Sequence, residues 1–283
     1  MSPAPTSPIP NPATKPVSDL RLRTVSSIVL VLGALAAVFA GGIWFRLSIL
    51  AVAVLMAVEW GTLIGRDGQR NRARWLVVVP VVAALGVSFA IGPGIALAVG
   101  LAGAILSAVV ASFQGIARAG WMISAALSTM VTGVAVIWLR ELPETGLAVV
   151  IWMLATVAAT DVGAYLIGRT VGGPKLCPSI SPGKTWSGAI GGVCAAGVVA
   201  FVTSLLVQDA RPEVLFPMTV LLSVVGQGGD LMESALKRNF KVKDSGGLIP
   251  GHGGVLDRVD AQMAVIPVVA LSVLLSGGSV LAW

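Results

Sequence analysis

Nine runs of roughly twenty mostly apolar residues dominate the sequence, at about 25–45, 46–65, 73–92, 93–113, 120–139, 145–168, 186–207, 215–235 and 261–283. A helix needs about 20 such residues to cross ~30 Å of hydrocarbon. Inside that helix every backbone N–H and C=O finds its partner within the same segment. The pattern predicts an all-α, polytopic integral membrane protein with about nine transmembrane helices. Only 11% of the 283 residues are charged and 56% are hydrophobic, against ~25% charged in a soluble domain. A water-soluble fold is thereby excluded. The net charge of +6 reads as a positive-inside bias and contact with anionic headgroups, not as nucleic-acid binding. Cys177 and Cys194 supply neither zinc spacing nor a disulfide framework. Cys194 lies in an apolar run and reads as packing.

Three segments follow from composition. Residues 1–24, rich in Pro, Ser, Thr and Ala, read as a disordered cytoplasmic tail. Residues 25–139 hold helices 1–5, and residues 140–283 hold helices 6–9 with two polar loops. The first apolar run exceeds the ~7–15 residues of a signal-peptide core, so it is expected to be retained, with cleavage after Ala40 as the alternative. The eighth run is the weakest, because Gly226–Asp230 is polar and Gly-rich. With the N-terminus in the cytoplasm, 16 of the 19 Lys and Arg residues fall on cytoplasmic segments. Only Arg46, Arg140 and Arg211 fall on the other side. That asymmetry supports both the count and the orientation. It predicts a multi-pass protein of the cell membrane whose two long polar loops, 169–185 and 237–260, face the cytoplasm.

Acids inside transmembrane helices are costly and mark function by default. Glu59, Asp161 and Asp230 each lie on a helix that runs inward. At ~1.5 Å per residue they sit about 20, 24 and 22 Å from the outer surface. Equal depth predicts one polar cavity open to the cytoplasm. The alternative is local pairing of each acid, and for Glu59 nothing nearby in sequence separates the two readings.

The densest chemistry runs from Gly229 to Asp260. Asp230, Glu233 and Lys237 stand at i, i+3 and i+7, on one helical face. The Gly-rich stretch from Gly246 to Gly254 lets a backbone approach a bulky ligand and present N–H groups to phosphate oxygens. His252, the only histidine, lies in that stretch and reads as a phosphate or nucleotide contact, or as a loop hydrogen-bonder. Asp257, Arg258 and Asp260 follow. The two aspartates are metal ligands on one reading and helix caps on the other. Lys237, Arg238, Lys241 and Lys243 are phosphate ligands or merely positive-inside residues, Lys241 fitting the latter best. Carboxylates for a hard cation, basic residues and a glycine loop at a membrane surface point to phosphoryl or nucleotidyl transfer.

The run Ser234-x-Leu236-Lys237-Arg238, then Lys243-Asp244-x-Gly246, then Ile249-Pro250-x-His252-Gly253-Gly254-Val255-x-Asp257-Arg258-Val259-Asp260 resembles the signature of the phosphatidate cytidylyltransferases (CDP-diacylglycerol synthases). Asp161-x-x-Ala164-Tyr165-x-x-Gly168-Arg169 and Ser181-Pro182-Gly183-Lys184-Thr185-Trp186 are similar to a second block of that family. Ser187 departs from the acid or amide common there. Residues 145–265 carry the resemblance. The first five helices share only general character with it, apart from Val58-Glu59-Trp60.

The resemblance implies transfer of the cytidylyl group of CTP to phosphatidate, Mg²⁺ dependence with two metal ions, membrane-lipid contact and a homodimer. It implies metal ligands at Asp230 and Asp257, followed by Asp161 and Asp260. Asp230, Asp257, Asp260, Lys237, Arg238 and His252 would form the catalytic set. Ser181, Lys184, Lys243, Arg258, Gly253 and Gly254 would bind the substrate phosphates. Two rivals stand beside this reading, a secondary transporter and another CTP-dependent lipid enzyme such as a polyprenol kinase. Crowding of the polar residues into the second half, without inverted symmetry, speaks against the transporter.

Overall fold

The computed structural model describes residues 16–66, 68–207, 210–249 and 253–277, with side chains from residue 24 onward. Among these residues the chain forms nine α-helices and one two-stranded hairpin. The order is α1 (Pro16–Ala40), α2 (Gly42–Ile64), α3 (Arg70–Ala90), α4 (Pro93–Phe113), α5 (Trp121–Arg140), α6 (Gly146–Thr170), β1 (Lys175–Cys177), β2 (Ser181–Thr185), α7 (Trp186–Leu206), α8 (Pro212–Phe240) and α9 (Leu256–Ser276). The eight helices α2–α9 are long and apolar enough to cross a membrane. In α1 the apolar part, Thr24–Ala40, is shorter. The protein is thus an all-α, multi-pass membrane protein.

Two expected boundaries move, and one expected weak point does not interrupt its helix. The break expected at 45/46 falls at Gly41, whose φ of +61° suits glycine alone. A Cβ there would also lie 2.8 Å from the Arg140 guanidinium. The expected weak point of the eighth span is continuous helix, because Gly226 and Gly229 face α9 closely and lose no packing. A Cβ at Gly229 would sit 2.8 Å from Ala264 Cβ and 2.9 Å from the Asp260 carbonyl. The ninth helix starts at Leu256, not 261, so Asp257 and Asp260 stand on its first turns. The polar loop after α6 is not irregular throughout. It folds into the antiparallel β1–β2 hairpin.

α5 sits at the centre of the bundle, 67% buried, packed on by α2, α3, α4, α6 and α9. α6 and α7 pack most intimately. A Cβ at Gly163 would meet the Gly191 carbonyl at 2.7 Å, one at Gly188 the Ala164 carbonyl at 2.7 Å, and one at Gly192 the Thr160 carbonyl at 2.9 Å. Small residues let backbones approach where lipid offers no hydrophobic drive. Gly188 and Gly192 therefore serve packing within the chain. Side chains add interhelical hydrogen bonds: Trp152 Nε1 donates to Thr219 Oγ1 (3.1 Å), Thr160 Oγ1 to Ser223 Oγ (2.9 Å) and Gln227 Nε2 to the Ala189 carbonyl (3.3 Å). These fix the height and rotation of α8 against α6 and α7.

The two ends of the bundle differ. At one, Arg46 Nε donates to Glu141 Oε1 (2.5 Å) and its Nη1 to the Phe89 carbonyl (3.3 Å), while Arg140 Nε donates to the Val38 carbonyl (2.8 Å). Two of the three basic residues assigned outside are thus held by local pairing. The C-terminal ends of α2, α6 and α8, the hairpin and the start of α9 gather at the other end.

Candidate functional site

Three helices deliver carboxylates to one place. α6 brings Asp161 near its C-terminal end, α8 brings Asp230 and Glu233, and α9 brings Asp257 and Asp260 from its first turns. Spacing of three within a helix puts each pair on one face. The close α8–α9 approach at Gly229 then sets the two acidic faces against each other. Between them lies a cavity of about 260 Å³ lined by Asp161, Asp230, Lys237, Asp244, Asp257, Arg258 and Asp260.

Asp230, Glu233 and Asp260 each offer an oxygen within 4.8 Å of the others. This cluster is able to hold a metal ion. Buried Glu233 Oε1 has no hydrogen-bond donor among the described residues. An orphaned, buried carboxylate oxygen beside two further carboxylates fits a hard divalent cation. Glu233 had no place in the expected site, although its position three residues after Asp230 was the available signal. Asp257 and Asp161 line the cavity but stand outside this three-carboxylate group.

Asp257 is already engaged. Its Oδ1 accepts from Lys237 Nζ at 2.8 Å, and its Oδ2 accepts from Ser245 N at 3.1 Å and Gly254 N at 2.8 Å. Both amide donors precede α9, so Asp257 ties the loop and Lys237 and does not cap the helix as the capping reading had it. Lys237 Nζ also lies 2.5 Å from Glu233 Oε2, a charge contact that bridges the acids of α8 and α9.

A second cation arrives from the hairpin. Lys184 on β2 places Nζ 2.5 Å from Asp230 Oδ2. The hairpin reaches α8 through Arg238, whose Nε donates to the Ile180 carbonyl at 3.4 Å. At its base the Thr185 hydroxyl accepts from Gly188 N at 3.1 Å and caps α7. Ser187 Oγ donates to the Gly172 carbonyl, so this departure from the family pattern closes the hairpin base.

The remaining expected residues divide. Arg258 lines the cavity and is exposed; Gly253 and Gly254 sit behind it, next to Asp257 and Ser245. Lys243 is exposed, Ser181 is half-buried on β2, and Arg238 is exposed; none of the three lines the cavity. Asp244, which does, was given no role from sequence. His252 lies outside the described residues. Glu59 does not share the cavity, contrary to the equal-depth argument. It is 2% exposed and sits against residues 245–246 and 254–256. There it accepts from Val255 N (2.9 Å), Leu256 N (2.9 Å) and Ser245 Oγ (3.2 Å).

Comparison with known proteins gives the chain's relatives. The profile described as the Cytidylyltransferase family matches residues 21–276. A protein of Brucella suis biovar 1 named phosphatidate cytidylyltransferase is 36% identical over 255 residues, covering 88% of this chain and 91% of its own. One of the same name from Brucella abortus biovar 1 shows the same identity and coverage. Another, from Bacillus subtilis, is 46% identical over 130 residues, 46% of this chain and 48% of its own.

Proposed function

The chain belongs to the cytidylyltransferase family, and from that premise we propose how its residues make CDP-diacylglycerol. It is a membrane-embedded nucleotidyltransferase that takes CTP and phosphatidate to CDP-diacylglycerol and pyrophosphate. An oxygen of the lipid phosphate forms a bond to the α-phosphorus of CTP. The bond from that phosphorus to the bridging oxygen breaks, and its electron pair leaves with pyrophosphate. The nucleophile is already anionic, so no activating base is required. The demand on the protein is to bring two polyanions together and stabilise the added charge.

The observation that carries the site assignment is the clustering of Asp230, Glu233 and Asp260, two of which line a cavity shared with Lys237 and Arg258, with Lys184 on Asp230. In this reading Asp230, Glu233 and Asp260 would hold Mg²⁺, and Asp161 and Asp257 are the carboxylates that would serve a second ion. When bound, the metal screens phosphate charge and polarises the phosphoryl oxygens. Lys184 and Lys237 exchange their carboxylate partners for substrate phosphates. Arg258, Arg238 and Lys243 draw CTP to the mouth, joined by Ser181 and His252, and Gly253 offers backbone N–H to phosphate oxygen, whereas the N–H of Gly254 is taken by Asp257. Residues 140–283 carry this chemistry and 25–139 support it.

The cavity opens to the cytoplasm of the cell membrane in the same proposal, on the strength of the Lys/Arg asymmetry. Acyl chains stay among the helices while the headgroup enters. A homodimer belongs to this reading too, and native mass spectrometry from detergent should count two chains. The direct test is purified protein with labelled CTP and phosphatidate. CDP-diacylglycerol should form, chelator should abolish it, and Mg²⁺ should restore it. Full activity in chelator would overturn the metal assignment.

A further inference from the structure

We infer that Glu59 is a positioning residue for the reaction: from α2 it clamps the start of α9 and the loop before it, and so fixes where Asp257 and Asp260 stand. The inference rests on the site proposed above.

Glu59 is nearly 200 residues away in sequence from what it holds. Its Oε1 accepts from Val255 N and its Oε2 from Leu256 N, both at 2.9 Å, with Ser245 Oγ at 3.2 Å. Val255 and Leu256 are the N-cap and first residue of α9. The first N–H groups of any helix lack an intrahelical acceptor and must find one elsewhere. No side chain of α9's own cap residue supplies it. A carboxylate at this position also complements the helix dipole. With three donors, Glu59 offsets part of the cost of burying its charge.

The fit is tight. A Cβ at Gly246 would lie 2.5 Å from Glu59 Oε1, and one at Gly254 2.6 Å from Oε2. Two glycines of the conspicuous Gly-rich stretch are therefore there to let the loop close over Glu59, not only to admit a ligand. Asp257 accepts from Ser245 N and Gly254 N. Ser245 and residues 254–256 are thus held by two acids, Glu59 and Asp257. Asp260 follows one turn later, in the metal-capable cluster. Loss of the Glu59 clamp frees the first turn of α9, and displacement of reacting groups by about 1 Å costs on the order of 10²-fold in rate.

The test compares Glu59→Gln and Glu59→Asp with the parent protein, full length and in detergent. Glutamine keeps the size but turns an N–H₂ toward a backbone N–H. Hydrogen exchange should quicken in peptides covering 245–256 and stay unchanged in α4 and α5. kcat should fall about 10- to 100-fold, the range for loss of a supporting contact behind a metal site. Asp, keeping the charge, should recover part of it, which a merely space-filling role would not predict. If Glu59→Gln does not fold, Ser245→Ala removes one donor and should give the same two changes in smaller measure. Unchanged exchange at 245–256, or normal kcat with quickened exchange, would overturn the inference. Failure of the site reading would show separately, as normal turnover in Asp230→Asn.

Discussion

Lys184 and Asp230 illustrate how single residues acquire meaning from their partners. Lys184 reaches Asp230 from a hairpin, and both belong to the proposed site. Asp230 is here neutralised by a lysine, which on the proposed function would have to move aside for metal and nucleotide. Lys184→Met should raise KM for CTP about tenfold or more, a loss of one charge-assisted contact. Lys184→Arg should restore part of it. Steady-state kinetics at varied CTP decide; an unchanged KM would reduce Lys184 to a structural tie. Asp230→Asn should cut kcat by about 10²-fold or more, as removal of a transition-state contact does. Its insertion, followed by protease protection of membranes, should stay normal. The contrast with Asp257 is instructive. Asp257 already binds Lys237 and two loop amides, so its loss removes structure and charge together.

The helices show why small residues recur where the sequence seems only bland. Gly163 and Gly191 bring the backbones of α6 and α7 together, and Gly229 does so for α8 and α9. A Cβ on Gly191 would lie 2.5 Å from Ile167 Cβ, whereas one on Gly197 would meet nothing within 4 Å. Gly191→Ala should therefore lower the melting temperature in detergent, by the equivalent of about 1–3 kcal/mol for overpacking. Gly197→Ala should leave it nearly unchanged. Equal effects at the two positions would show that helix propensity, not close approach, governs both. The same contact explains the site: α8 presents its acids to α9 because Gly229 lets the helices touch at that level.

Among the described residues, large apolar side chains such as Phe113, Leu205 and Leu275 face outward from the bundle. Cys194 is exposed on α7, so it faces the bilayer side of the bundle instead of a packed interior. Orientation is testable on a chain freed of Cys177 and Cys194. Cysteine in place of Arg211 should react with an impermeant maleimide on intact cells. Cysteine in place of Lys241 should react only after lysis. The reverse pattern would turn the proposed topology over.

Nine apolar segments were legible because burial in hydrocarbon leaves a continuous signal in the chain itself. Pro93–Phe113 and Trp121–Arg140 lie within a residue of the limits that signal gives. The shared face of Asp230 and Lys237 and the short run of Asp257, Arg258 and Asp260 were legible too, since each is a matter of local spacing. The tertiary structure alone decided what lies across the bundle. It brought Asp260 up to Asp230 and Glu233, set Lys184 on Asp230, and withdrew Glu59 from the cavity to hold α9. Local periodicity tells which side of a helix is polar. Which neighbour that side meets, and at what height, depends on close packing between segments far apart in sequence.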